Sequence, residues 1–319
     1  MNGTVVPFWP DRPAAEALEV AAAAEERGFG ELWIGEMATY DAFALAGAVA
    51  AKTARITITV GPLASGVRDP VSLALGVASV ASIGRRPARL ALGVSTPVVV
   101  RRWHGRPWRN VVAQLRETVR ALRPLLDGQQ SSFEGEAVRT SGFRLRLDPP
   151  RCQITVAAFA EGTVGVAAEL ADRMVVNLVT PMQAATLKAA LAVRAAAAER
   201  PVPRLAAWVI AAVRPTKATL EQLRTSLVPY LAAPGYGEMF EAAGFREVVE
   251  LARAGAHPKQ LLAMIPARMP HAVGAIGDEE TVRARLAEYR AAGVEDLAIV
   301  PATAGRGVLA RTLDAIGDT

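Results

Sequence analysis

Few side chains in this 319-residue sequence could carry chemistry on their own. Its three histidines, His104, His257 and His271, are scattered without the spacing of a metal site, which argues against a His-based metal hydrolase. No metal ligation is expected. A Schiff-base lysine should lie buried near a strand end, but Lys52 and Lys188 fall in helical sequence and Lys217 at a helix start. A Gly-x-Gly-x-x-Gly fingerprint after the first strand is absent, as is a Gly-x-Ser-x-Gly elbow. The chemistry therefore falls to a bound cofactor, with the protein supplying position and electrostatics.

Two titratable groups stand at strand ends. Glu36, in Gly35-Glu36-Met37, either orients a ligand or makes a structural hydrogen bond to a neighbouring loop. His104, in Trp103-His104-Gly105, either hydrogen-bonds a ring carbonyl and moves a proton or packs as structure beside the indole. Arg101, Arg102, Arg106 and Arg109 surround it, facing either an anionic tail or solvent. Ala158, Phe159, Ala160, Glu161, Gly162 and Thr163 join a strand to a helix. Small residues there free backbone N–H groups that, with the helix N-terminus, could cradle a phosphate; an ordinary tight turn reads the same way.

The elements that must position these groups alternate. Apolar runs over 3–8, 31–36, 56–60, 89–92, 153–159, 174–179, 205–213 and 295–300 read as eight strands. Helical stretches separate them: from Pro13 to a Gly28 stop, from an Asp41 cap to Lys52, from after the Arg68-Asp69-Pro70 loop to Ile83, from Pro107 to Leu126, from Thr163 to Ala171, from Pro181 to Glu199, and over 278–292. A final helix starts at Gly307. Two stretches depart from the alternation. Residues 129–150 read as a hairpin excursion pairing 133–136 with 142–147, and 216–270 as an inserted helical lobe. Strand count and length favour an α/β fold built as one (β/α)8 TIM barrel over 1–319, rather than a doubly wound open sheet. Ligands then bind at the carboxyl ends of the strands, where Gly61, Pro62 and Leu63 follow strand three and Val94, Ser95 and Thr96 follow strand four.

Composition narrows the partners. Hydrophobic residues make up 51% and charged residues 21%, so a large core is available and wholesale disorder is excluded. The net charge of +5 comes from arginine, since only Lys52, Lys188, Lys217 and Lys259 are lysines. No basic block points to nucleic acid, whereas a small anionic ligand is compatible. The lone Cys152 excludes an internal disulfide. No apolar run spans a membrane and no signal peptide opens the sequence, so a cytoplasmic protein is expected.

These features resemble the bacterial-luciferase-like flavin superfamily, and most of all its coenzyme F420 (deazaflavin)-dependent branch of actinobacteria. The resemblance is carried by Gly84-Arg85, by Leu90 to Val100, and by Trp103-His104-Gly105. Weaker matches are Glu31 to Glu36, Ala171-Asp172, Asn177 with Thr180-Pro181, Pro234 to Gly237, and 275–301. It implies a TIM barrel with the cofactor at the C-terminal mouth. The ring would lie against a bulge after strand three, and the phosphate near the turn after strand five. Relatives carry a cis bond at that bulge, so the Gly61–Pro62 bond is expected cis. Two positions depart from the family pattern: Met37 stands where many relatives have His, and Arg173 where Gly is usual.

The resulting expectation is an F420-dependent oxidoreductase passing hydride between the deazaflavin and a small apolar substrate. Its rivals are an FMN-dependent monooxygenase and, in another class, a non-catalytic flavin-binding barrel, which Met37 makes respectable. A homodimer is left open.

Overall fold

The computed structural model describes residues 2–9 and 11–317. Pro10, expected to end the first strand, and the chain-end positions 1, 318 and 319 lie outside the described residues. The strands are β1 (Asn2–Val5), β2 (Glu31–Ile34), β3 (Thr57–Ala64), β4 (Ala88–Gly93), β5 (Ser131–Glu134), β6 (Arg139–Phe143), β7 (Ile154–Ala157), β8 (Arg173–Asn177), β9 (Arg204–Val213), β10 (Gly274–Gly277) and β11 (Asp296–Pro301). β5 and β6 form a separate antiparallel pair, and the other strands belong to one sheet with helices between them. The fold is the (β/α)8 barrel that the alternation predicts.

The chain forms two compact units, one built from Met1–Phe29, Val176–Ala189 and Leu205–Thr319, the other from Gly30–Val175 and Ala190–Arg204. In the second unit the strand order is β2-β3-β4-β7-β8, with every pairing parallel. Parallel strands are covered on both faces, and β2 accordingly buries Leu32, Trp33 and Ile34 together. The helix Ala42–Lys52 starts where the Asp41 carboxylate accepts from the amides of Phe43 and Ala44, at 3.0 and 2.9 Å. Asp69 does the same for Pro70–Gly84 through the Ser72 amide, at 2.9 Å. A cap of this kind satisfies an amide that the first turn leaves unpaired and contributes about 1 kcal/mol.

In the first unit the order is β10-β9-β11-β1. β10 is not legible in the sequence. Its Gly-Ala-Ile-Gly is too short and glycine-rich to register as a strand, and it forms because β9 offers a parallel partner from Ile210 to Val213. Between Lys217 and Val273 lie short helices whose Leu223, Leu227, Phe240, Phe245 and Met269 form one buried cluster with Trp9 and Ile276.

The remaining differences are local. The hairpin pairs 131–134 with 139–143 rather than 133–136 with 142–147, and Leu147 is exposed. The cause is Glu117, whose carboxylate accepts from the amides of Glu136, Ala137 and Val138 and so fixes the turn there. The fourth helix begins at Val111 instead of Pro107, because Asn110 is left-handed (φ 50°) and cannot belong to it. No helix among the described residues is long and apolar enough to cross a membrane.

Candidate functional site

All the sequence-derived site residues belong to the second unit. β3 and β4 pair in register up to Val60 and again from Leu63, so Gly61 and Pro62 form a bulge. The Gly61–Pro62 bond is cis, as expected. Gly61 has φ +119°, and a Cβ there would stand 2.1 Å from the Ala91 carbonyl oxygen. Only glycine fits, on both conformational and steric grounds. Leu63 is buried and Pro62 half-buried.

The bulge faces small residues. A Cβ added to Gly93, which ends β4, would meet the Ala157 Cβ at 3.3 Å and the Pro62 Cβ at 3.8 Å. Pro62, Gly93 and Ala157 are thus neighbours at the carboxyl ends of three parallel strands. Spacing alone does not reveal this contact, since Gly93 and Ala157 lie far apart in the chain and carry no motif that links them. Beyond β4 the chain turns through Val94, Ser95 (φ +64°) and Thr96, all half-buried. The Thr96 hydroxyl accepts from the Val99 amide at 3.3 Å, and its carbonyl from Val100 at 3.0 Å.

Instead of the loop the sequence suggests, the chain then forms one π-helical turn, Val98–Trp103. The His104 amide closes it by donating to the Val99 carbonyl at 3.2 Å. Such turns recur at functional sites. Val100 alone anchors it inward, leaving Trp103 and His104 exposed. The alternative of a packed imidazole is therefore overturned.

Glu36 is held in place. Its carboxylate accepts from both Nε and Nη2 of Arg68, and from the Ala42 amide at 3.3 Å. Arg68 also pairs with Asp41 and lies 5.3 Å over the Phe43 ring. Burial pushes the Asp41 carboxyl upward, but the amides of Ala44 and Phe43 and the Arg68 guanidinium outweigh it and hold the group below its ordinary value. The hydrogen bonds to Glu36 and Asp41 push Arg68 further up, so it is permanently charged. Nothing in the sequence marked Arg68 as the organiser of this loop, because its partners are 32 and 27 positions away.

The turn after β7 places Ala158 in the core, Phe159 half-buried, and Ala160, Glu161 and Gly162 exposed, with Thr163 buried again. The helix is Glu161–Leu170, and no side chain caps it. Ala160 supplies the extended backbone of a cap position (φ −89°, ψ 155°) without an acceptor group. The Thr163 hydroxyl instead donates to the Ala160 carbonyl at 2.9 Å. The first-turn amides of an exposed helix start are left to an external anion or to water. Among the described residues no group of three or more His, Cys, Asp or Glu could hold a metal.

Comparisons with known proteins agree with this architecture. A Mycobacterium tuberculosis protein, proposed by its name to be a coenzyme F420-dependent oxidoreductase, is 23% identical with 98% of each chain covered. The coenzyme F420-dependent tetrahydromethanopterin reductase of Methanopyrus kandleri superposes with a TM-score of 0.81 at 18% identity, covering 99% of this chain and 97% of that one. The oxygenating constituent of 3,6-diketocamphane monooxygenase from Pseudomonas putida, bound to FMN, gives 0.70 at 17% identity, covering 99% and 96%. The luciferase-like monooxygenase family model matches residues 4–296, and the chain belongs to that family of enzymes.

Proposed function

We propose that this protein is a coenzyme F420-dependent oxidoreductase of the cytoplasm, acting as one barrel domain on a small apolar substrate. The observation that carries the reading is the juxtaposition of Pro62, Gly93 and Ala157 at three strand ends, with an uncapped helix start opening four residues beyond Ala157. A flat, methyl-lined seat suits one face of a planar ring, and free amides suit a phosphate. The residues present therefore fit the group. When bound, a deazaflavin supplies a ring carbon that gives or takes hydride.

The rest is done by the chain itself. Gly61 and Pro62 bring backbone up behind the ring, while Leu63 and Val94 keep its surroundings apolar. Hydride transfer needs dry, aligned contact more than an array of acids and bases. Glu36, fixed by Arg68, orients the ligand through its remaining lone pairs. The exposed His104 imidazole offers the ligand a hydrogen-bonding group at the turn after β4.

FMN is the second reading, favoured by the FMN-bound relative of the same fold. Titrating purified protein with each cofactor separates the two. Tighter binding of F420 at low salt and turnover without oxygen uptake support hydride transfer. Tighter FMN binding, or stoichiometric oxygen consumption, makes the protein a monooxygenase.

A further inference from the structure

The first residue of the helix Glu161–Leu170 is itself an anion at the candidate phosphate turn. A carboxylate in a helix's first turn is attracted to the same open amides that would receive a phosphate, and it repels a phosphate bound to them. The Cα–Cβ bond of a helical residue tilts towards the N-terminus, so an unrestrained Glu161 side chain sets out in the direction of those amides. For a phosphate to bind well, that charge has to be held elsewhere.

Arg194, in the last turn of the helix Pro181–Ala197, holds it: its Nη2 donates to Oε1 of Glu161. The arginine reaches the carboxylate past Gly165, one helical turn beyond Glu161 on the same face, where a Cβ would stand 3.9 Å from the Arg194 Cδ. The carboxylate is thus drawn along the flank of the helix, towards Gly165, instead of over its open end. Glu169, whose Oε1 would lie 3.8 Å from the same Cβ, is already taken by Arg116, at 3.1 and 3.0 Å, which leaves Arg194 to Glu161. All of these residues belong to the second unit. The Arg194 and Glu161 side chains are 43% and 82% exposed, so the pair adds little to stability. Its consequence lies in where it puts a charge.

We propose that Arg194 is a positioning residue for cofactor binding: by holding the Glu161 carboxylate on the flank of the helix, it keeps a negative charge off the amides that the cofactor's phosphate needs. This rests on the cofactor reading above. Without Arg194 a free carboxylate and a phosphate share one exposed turn, and their repulsion is of the kind that salt screens.

The test titrates the wild-type protein, Arg194→Gln, and Arg194→Gln combined with Glu161→Gln. Two ligand pairs are used, each a phosphate-bearing cofactor with its phosphate-free riboside: coenzyme F420 with the deazaflavin riboside, and FMN with riboflavin. At low salt Arg194→Gln should weaken the phosphate-bearing ligand about fivefold and leave the riboside unchanged, and the loss should shrink to about twofold at high salt. The double variant should recover most of the wild-type affinity, because no carboxylate remains to repel the phosphate. Unchanged affinity in Arg194→Gln overturns the proposal and leaves the cofactor reading standing. So does a loss that persists in the double variant, which would make Arg194 a direct contact of the anion, or one that is equal for the riboside, which would make its role structural. If the wild-type protein binds FMN but not F420, and the FMN pair shows the expected pattern, the F420 reading falls and the role of Arg194 stands. A wild-type protein that binds no member of either pair overturns both.

Discussion

Arg173 and Glu31 form a two-point ion pair inside the second unit, with Nη1 donating to Oε2 at 2.9 Å and Nη2 to Oε1 at 2.8 Å. Their side chains are 2% and 4% exposed. The Arg173 Nε donates to the Thr155 hydroxyl at 3.1 Å, and the guanidinium lies 4.4 Å over the Trp33 ring. Glu31 also accepts from Arg89 at 2.9 Å and from the Thr59 hydroxyl. The residue that stands where the family pattern has glycine is therefore fully engaged in the barrel interior. Removing one partner strands a buried charge. Arg173→Met should lower unfolding free energy by about 3–5 kcal/mol, and the double variant with Glu31→Gln should recover much of it, as urea denaturation would show.

The same pair sets an acid limit. Burial raises the Glu31 carboxyl, but the hydrogen bonds and charge of Arg173, with Thr59 and Arg89, outweigh it and hold the group below its ordinary value. A carboxyl with a depressed folded pKa stabilises above its unfolded value of about 4.3, and that stability is lost as pH falls through the folded value. Urea midpoints should therefore drop below about pH 4. Glu31→Gln should drop less over that range, because the titrating group is gone; an equally steep fall would assign the acid sensitivity to other carboxyls.

At the phosphate turn, a carboxylate can be made to compete with the ligand. Ala160→Asp supplies the missing cap to the helix Glu161–Leu170, which should raise stability by about 1 kcal/mol. The same carboxylate occupies the amides and repels an anion, so F420 binding should weaken by tenfold or more. A stabilised protein with unchanged affinity would return this turn to an ordinary βα connection. This substitution reads more cleanly than enlarging Gly162, where a Cβ already presses on Val112 at 3.2 Å.

Gly61→Ala should be among the most damaging single-methyl additions in the second unit. It combines a positive φ with a Cβ 2.1 Å from backbone that cannot move without breaking the pairing of β3 with β4. A loss of about 2 kcal/mol or more is expected in thermal or urea unfolding. Gly105→Ala, also at positive φ but with open space around it, should cost about 1 kcal/mol.

His104 is exposed, so His104→Gln should change stability by less than about 0.5 kcal/mol. Loss of turnover with F420 binding retained would then report a role in proton movement. Unchanged turnover in the variant would remove His104 from the chemistry.

Local rules were enough to read the βα alternation, the capped helix start at Asp41, and the strand ends that carry glycine, proline and hydroxyls. Each depends on residues within a few positions of one another. The (β/α)8 class followed from counting those elements. The contacts that give the candidate site its form are long-range, and no local pattern encodes them. Arg68 reaches back to Glu36 and Asp41, Gly93 meets Ala157 and Pro62, and Arg173 reaches Glu31 across 142 positions. β10 and the hairpin register were likewise decided by partners, β9 in one case and Glu117 in the other. A charge in sequence does not say whether it will be solvated, paired or buried. Packing decides that, because only the folded chain sets what stands within hydrogen-bonding distance and how much water remains.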